Sequence, residues 1–215
     1  MRKSKIVLIL GVPIISFILS LWFYPLMPKQ MASHWDIRGN PDGYLNKSYF
    51  FLFIPGFILA ISLLVYFLPK IDPQYKNIQK FKEYFENFLL VLLLFLLYIF
   101  LLTIAWNLGI EFQFGKAMPP ALAILLYFIG DLLEHAQPNW TIGIRTPWTL
   151  TDEKVWQKTH TLGGKVFKLA ALFTLLMTFL PKLSFWLFLI LVLGISLFLV
   201  IFSYWEYQKL HCKTR

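Results

Sequence analysis

Two groups of polar residues stand out in an otherwise apolar chain, and each carries side chains able to do chemistry. The first runs from Gly143 to Gly164: Gly-Ile-Arg-Thr-Pro-Trp-Thr-Leu, then Trp156, His160 and the pair Gly163-Gly164. The planar guanidinium of Arg145 offers paired donors to a carboxylate or phosphate. The alternative is a tie to Asp152, Glu153 or a backbone carbonyl, or a lipid headgroup contact. His160 has the chemistry of a metal ligand or an acid–base group, but a metal centre needs several ligands at fixed spacing. His135, Glu134 and Asp131 are the nearby candidates, and no His-Glu-x-x-His motif is present. The spacing therefore points to a hydrogen-bonding histidine that locks its loop. The second group is His34-Trp35-Asp36 followed by Gly39, Pro41, Asp42 and Gly43. His34, Asp36 and Asp42 could close around a cation or ligand; alternatively, Asp42 caps an ordered turn with Trp35 resting on the membrane. There is no Ser/His/Asp order, no Gly-rich phosphate loop and no convincing acid pair, so no catalytic constellation, cofactor or metal is predicted.

These groups must be positioned by membrane helices. The 215 residues are 58% apolar and 19% aromatic, with a mean hydropathy of +0.64. That composition excludes an ordinary soluble domain. The fold class is all-α: a polytopic membrane protein forming one integral membrane domain over residues 1–215. Six transmembrane helices are predicted at about residues 6–25, 49–68, 88–108, 117–135, 165–180 and 183–205, each judged against roughly 30 Å of hydrocarbon. The fourth and fifth are the weakest, since they carry Asp131 and Lys168. Charge asymmetry argues for both. With six spans and an inside N-terminus, only Lys29, Arg38, Lys47, Lys116 and Lys182 of the 20 Lys and Arg fall outside, as the positive-inside rule requires. Removing the two weak spans would leave ten on each side. The same asymmetry explains the net charge of +9 without nucleic acid. The opening Met-Arg-Lys-Ser-Lys resembles the start of a secretory signal, but the apolar stretch is long and no cleavage site follows, so it reads as a retained anchor. The single cysteine, Cys212, excludes an internal disulfide and a Cys-based metal site.

The first outer loop, 26–48, carries Arg38-Gly39-Asn40-Pro41-Asp42-Gly43, a run of turn signals, and is predicted to be compact. The inner segment 69–87 reads as a solvated connector of mixed charge. The inner signature loop, 136–164, should hold a short interfacial helix from an N-cap at Thr151 to about Thr161, with Asp152 and Glu153 in the first turn favoured by the helix dipole. Gly163-Gly164 would end that helix or joint it to the fifth span. Val155, Trp156 and Thr159 share one face, with His160 beside it, and Trp148 and Trp156 suit the lipid–water boundary. Nothing in membrane packing alone demands so polar a segment, and loops on rigid scaffolds carry function. Intramembrane carboxylates default to a functional reading; pairing of Asp131 and Glu134 with Lys165 or Lys168 is the structural alternative.

His34-Trp35 with Gly39-x-Pro41-Asp42-Gly43, and Pro138-Asn139-x-x-Ile142-Gly143-Ile144-Arg145-Thr146-Pro147-Trp148-Thr149-Leu150 with Trp156, Thr159-His160 and Leu162-Gly163-Gly164, closely resemble the SdpI family, and the likeness covers nearly the whole chain. Members commonly show Gly-Asn where this chain has Gly130-Asp131, and a basic residue where it has Thr161. The resemblance implies a multi-pass protein of the bacterial cytoplasmic membrane, with both termini cytoplasmic, that protects its cell from a secreted peptide toxin. In the best-understood member, the toxin-bound protein also holds a small winged-helix repressor at the membrane. Carried over, this places toxin at His34, Trp35 and Asp42 on the outer face and partner signalling at Arg145, Trp148, Trp156 and His160 inside. The residues alone leave two other classes open. One is a membrane enzyme with Arg145 on a headgroup and His160 and Glu153 handling protons; the other is a small transporter with Asp131 in a polar path.

Overall fold

The computed structural model describes residues 3–36 and 39–211. Arg2, Arg38, Cys212, Lys213 and Arg215, which entered the charge and thiol readings, lie outside the described residues. The described chain is almost wholly helical. In order it forms α1 (Lys3–Phe23), a hairpin of β1 (Gln30–Trp35) and β2 (Pro41–Asn46), α2 (Lys47–Phe67), α3 (Tyr75–Lys80), α4 (Lys82–Asn107), α5 (Phe114–His135), α6 (Pro147–Thr151), α7 (Glu153–Leu176) and α8 (Ser184–His211). Six helices (α1, α2, α4, α5, α7 and α8) are long and apolar enough to cross a membrane. With no water in the hydrocarbon to satisfy backbone groups, helix is the form such runs must take. The protein is a multi-pass membrane protein.

The six helices pack as two triplets that share a seam. α1, α2 and α4 enclose cores built on Ile9, Ile58, Leu89 and Leu93 and, nearer the hairpin, on Met31, Phe50 and Phe100. α5, α7 and α8 enclose Leu126, Ala170, Ile195 and Leu199. α4 against α5 makes the seam. Large apolar residues such as Ile14, Leu21, Leu193 and Leu197 remain exposed, as helices solvated by lipid require. Pro13 supplies no N–H to Ile9 four residues earlier, and Ser62 Oγ donates to that Ile9 carbonyl across the α1–α2 contact at 3.4 Å.

α5 and α7 form the tightest pair. A Cβ on Gly164 would collide with the Glu134 side chain and lie 2.7 Å from Gly130 O, and one on Gly163 would lie 2.7 Å from Ile144 Cδ1. The expected break at Gly163-Gly164 is therefore absent. Interfacial segment and fifth span are one helix, α7, because the glycines are spent on close helix approach. Its N-cap is Asp152, which accepts from Lys154 N at 2.7 Å and Val155 N at 3.0 Å, and not Thr151. Thr151 instead ends the short α6, whose first turn is fixed by Pro147 at N1 and a capping box between Thr146 and Thr149.

The compact first loop is an antiparallel hairpin, paired Gln30 with Asn46 and Ala32 with Tyr44, irregular around His34. Asp36, and not Asp42, caps its turn: Asp36 Oδ1 accepts from Asn40 N at 2.9 Å and its backbone N–H donates to Asn40 O at 2.8 Å. Met31 plugs the top of the first triplet. The segment 69–87 is not a solvated connector. Asp72 is 4% exposed, and Ile78 and Phe81 are 1% exposed, packed against Leu132, Ile142 and Trp156.

Gly164→Ala should overpack the α5–α7 contact, at a cost typical of about 1–3 kcal/mol. Gly194→Ala, where a Cβ meets nothing within 4 Å, should be neutral or slightly stabilising. Thermal unfolding of the two detergent-solubilised variants measures the difference, and equal midpoints would refute the close-packing account.

Candidate functional site

The polar residues gather at the two ends of the bundle. At the end opposite the hairpin, the loop between α5 and α6 is built around Asn139, which is 2% exposed. Its Nδ2 donates to Gln137 O and Ile142 O, each at 2.8 Å, and its Oδ1 accepts from Thr141 N at 2.9 Å and Ile142 N at 2.6 Å. One amide side chain thus satisfies four backbone groups of a turn that secondary structure cannot serve. Asp72 clamps the same turn from the α2–α3 connection, accepting from Trp140 N at 2.9 Å and Thr141 Oγ1 at 2.8 Å. Asn77 Nδ2 adds a bond to Pro138 O at 2.9 Å.

Trp156 and His160 form the floor. Trp156, placed at the lipid–water boundary by sequence reasoning, is instead fully buried, because its ring fills the space between α3, α4 and α5. Its Nε1 donates to Ala136 O at 2.9 Å. His160, 1% exposed, lies nearly parallel to the Trp156 ring at 3.9 Å between centroids. Ile144 N donates to His160 Nε2 at 2.9 Å, and Nδ1 lies 2.8 Å from Trp156 O. A ring whose Nε2 accepts must carry its proton on Nδ1, so the network assigns a neutral tautomer with both nitrogens occupied. Neither nitrogen is free for proton transfer or for a metal. Gly143, at φ +123°, passes directly over this ring, where a Cβ would strike His160 Nε2. The elaborate loop does have a packing reason: nearly every polar group in it closes on another.

Two of the predicted residues face outward. Arg145 is exposed and donates one bond, from Nη1 to Trp140 O at 2.7 Å, which is the backbone-carbonyl tie; the remainder of the guanidinium faces solvent. Trp148 is half-buried with its ring edge-on to Tyr204 of α8. Thr146 Oγ1 meets Ser203 Oγ of α8 at 3.0 Å, and Lys158 meets Glu206 at 2.6 Å, so α8 braces the loop from the side. Farther along the α5–α7 contact, Lys168 Nζ lies 2.7 Å from Glu134 Oε2 and 3.4 Å from Asp131 Oδ1, the pairing that the sequence offers as the structural alternative for these carboxylates.

At the hairpin end, His34 Nδ1 and Asp42 Oδ1 form a short contact across the strands, with side chains 72% and 48% exposed. Asp36 is engaged in the turn, and among the described residues no group of three or more His, Cys, Asp or Glu could hold a metal ion. Trp35 packs on Phe114 at 4.4 Å and edge-on to Trp106 at 5.8 Å. Asn107, at the end of α4, mimics a third strand: Oδ1 accepts from Ala32 N at 2.8 Å and Nδ2 donates to Ala32 O at 2.9 Å. Beneath the hairpin lies a cavity of about 1150 Å³, bounded by α4, α5, α7 and α8. Sequence reasoning missed Asp72, Asn107 and this cavity. The first two are single polar residues whose partners lie 68 to 75 positions away, which no local pattern reveals.

Asp72→Ala should leave Trp140 N and Thr141 Oγ1 without their acceptor, each costing about 1–3 kcal/mol if it stays buried. Hydrogen exchange should quicken across 138–145 and stay unchanged in α1 and α2; uniform exchange would show that Asp72 does not clamp the loop. Lys168→Ala, which strands two carboxylates, should lower thermal stability more than Asp131→Asn, which leaves the 2.7 Å pair with Glu134 intact. The opposite order would make Asp131 the residue that matters.

Comparison with known proteins agrees with this architecture. The SdpI/YfhL protein family matches residues 135–204, and a domain of unknown function (DUF1648) matches residues 11–59. The immunity protein SdpI of Bacillus subtilis (strain 168) is 29% identical over 218 residues, covering 98% of this chain and 99% of that protein. The uncharacterized membrane protein YbgB of the same organism is 39% identical over 57 residues, 26% of this chain and 56% of that protein. No solved structure matches the chain. The family match spans α6, α7 and most of α8, with the loop organised by Asn139, Arg145, Trp156 and His160, and the likeness to the immunity protein SdpI extends the resemblance to both ends of the molecule.

Proposed function

We propose that the protein is an immunity protein of the bacterial cytoplasmic membrane, which engages a secreted peptide toxin at its hairpin end and presents the opposite end to a cytoplasmic repressor. The observation that carries this reading is the end-to-end similarity to a protein named for immunity, spanning 98% of this chain and 99% of that one. Orientation is supported by charge. The cations Lys29, Lys47, Lys116 and Lys182 fall at the hairpin end, and most others gather opposite, which supports an outward-facing hairpin. On the outer face, the exposed His34–Asp42 pair and Trp35 are the toxin contacts. On the inner face, Arg145 and Trp148 are the partner contacts, and Trp156 and His160 act by holding the loop that displays them. Signalling then requires toxin to favour one loop arrangement over another.

Survival of toxin-sensitive cells expressing the chain, exposed to the secreted peptide encoded nearest its gene, tests this reading. Wild type should raise survival at least about tenfold, His34→Ala should lose most of that, and Arg145→Ala should keep it while failing to recruit the repressor to the membrane. An inserted wild type that gives no protection sinks the immunity role against that peptide.

A further inference from the structure

We infer that the cavity beneath the hairpin is a binding site for an anionic amphiphile, taking its acyl chain between the two helix triplets and its negative head at Lys116 and Lys182. The site shares His34 and Trp35 with the proposed toxin contacts at its hairpin side, while its other lining comes from the helices. At about 1150 Å³ the cavity exceeds the usual range for small-molecule pockets. The lining farthest from the helix ends is Ile99, Leu122 and Phe188 with Thr103 and Thr174, whereas Met118, Met177 and Phe185 lie nearer those ends, beside Lys116, Lys182, Gln113 and Asp36. The charged side chains thus sit at one end of a lining that is otherwise mostly apolar, the arrangement that an amphiphile matches.

Hydrogen-bonding capacity decides between an acyl chain and a peptide. Of the polar side-chain atoms buried among the described residues of this wall, Trp35 Nε1 and Thr174 Oγ1 lack a partner. A peptide main chain taken into the cavity would bring a donor and an acceptor per residue and leave most unpaired, at a cost in each case. An acyl chain needs none. Charge supplies the head preference: Lys116 and Lys182 are exposed and, among the described residues, neither has a carboxylate partner. Both stand near the ends of membrane helices, Lys116 in the first turn of α5 and Lys182 just before α8, the level at which lysines meet lipid phosphates.

The purified protein in detergent is titrated with phosphatidylglycerol, phosphatidylcholine and palmitate, and bound ligand is counted by native mass spectrometry. Wild type should bind phosphatidylglycerol over phosphatidylcholine by about thirtyfold, the scale of two interfacial cations. Lys116→Gln with Lys182→Gln should abolish that preference while retaining acyl binding, and Leu122→Trp should block both lipids. Palmitate competing as well as phosphatidylglycerol identifies a free fatty acid as the source; palmitate failing to compete identifies the membrane phospholipid. Should Leu122→Trp misfold, phosphatidylglycerol carrying a photoreactive acyl chain labels the wild type, with adducts expected on Met118, Leu122 or Phe188. Adducts confined to the lipid-facing Ile14 or Leu193, a charge preference untouched by the double variant, or displacement of the label only by an apolar peptide would overturn the proposal.

Discussion

The approach of α5 to α7 at Gly130 and Gly164 sets the geometry of the second triplet and, through it, of the signature loop. Without side chains at that crossing the two backbones come together, and van der Waals packing replaces the hydrophobic effect, which lipid cannot provide. Several consequences radiate from it. Lys168 is brought onto Glu134 and Asp131, offsetting part of a charge that would otherwise be costly in a membrane helix. Gly163, the next residue along, lets Ile144 settle against α7. One and two turns earlier, His160 and Trp156 then stand directly under the loop whose backbone they hold.

Each end of the molecule answers the same requirement with a different device. Irregular backbone near a membrane must find partners for its N–H and C=O groups. At the signature loop, Asn139 and Asp72 supply them from side chains, and His160 supplies one more acceptor. At the hairpin, pairing of β1 with β2 supplies most, and Asn107 completes the exposed edge by imitating a peptide unit. Two loops that read as candidate chemistry are thus first of all solutions to backbone solvation. Among the described residues of these two loops, the outer face of Arg145 and the His34–Asp42 pair stay exposed.

Much of the fold was readable in the sequence because the apolar runs are long, and the two weaker spans could be recovered from the distribution of lysine and arginine. The placement of individual side chains was less so. Gly163-Gly164 reads as a break when propensity alone is weighed, yet tertiary contact with α5 keeps the helix whole. Trp156 reads as an interfacial ring and lies in the core, because α3 folds back to cover it. The hairpin announced its turn but not its strands, since Gln30 to Trp35 shows no clean alternation of polar and apolar residues. Asp72 gave no signal at all. Its importance lies in a contact with Trp140 and Thr141, far along the chain, that exists only once the helices are assembled.

Asn107 fastens the hairpin to α4, and Met31 sinks it into the core of the first triplet. The roof of the cavity therefore belongs to one half of the molecule, whereas most of its walls, from α5, α7 and α8, belong to the other. The void is accordingly a gauge of the spacing between halves: any rigid shift across the α4–α5 seam is written directly into its volume, and whatever fills it holds the two halves at a set distance.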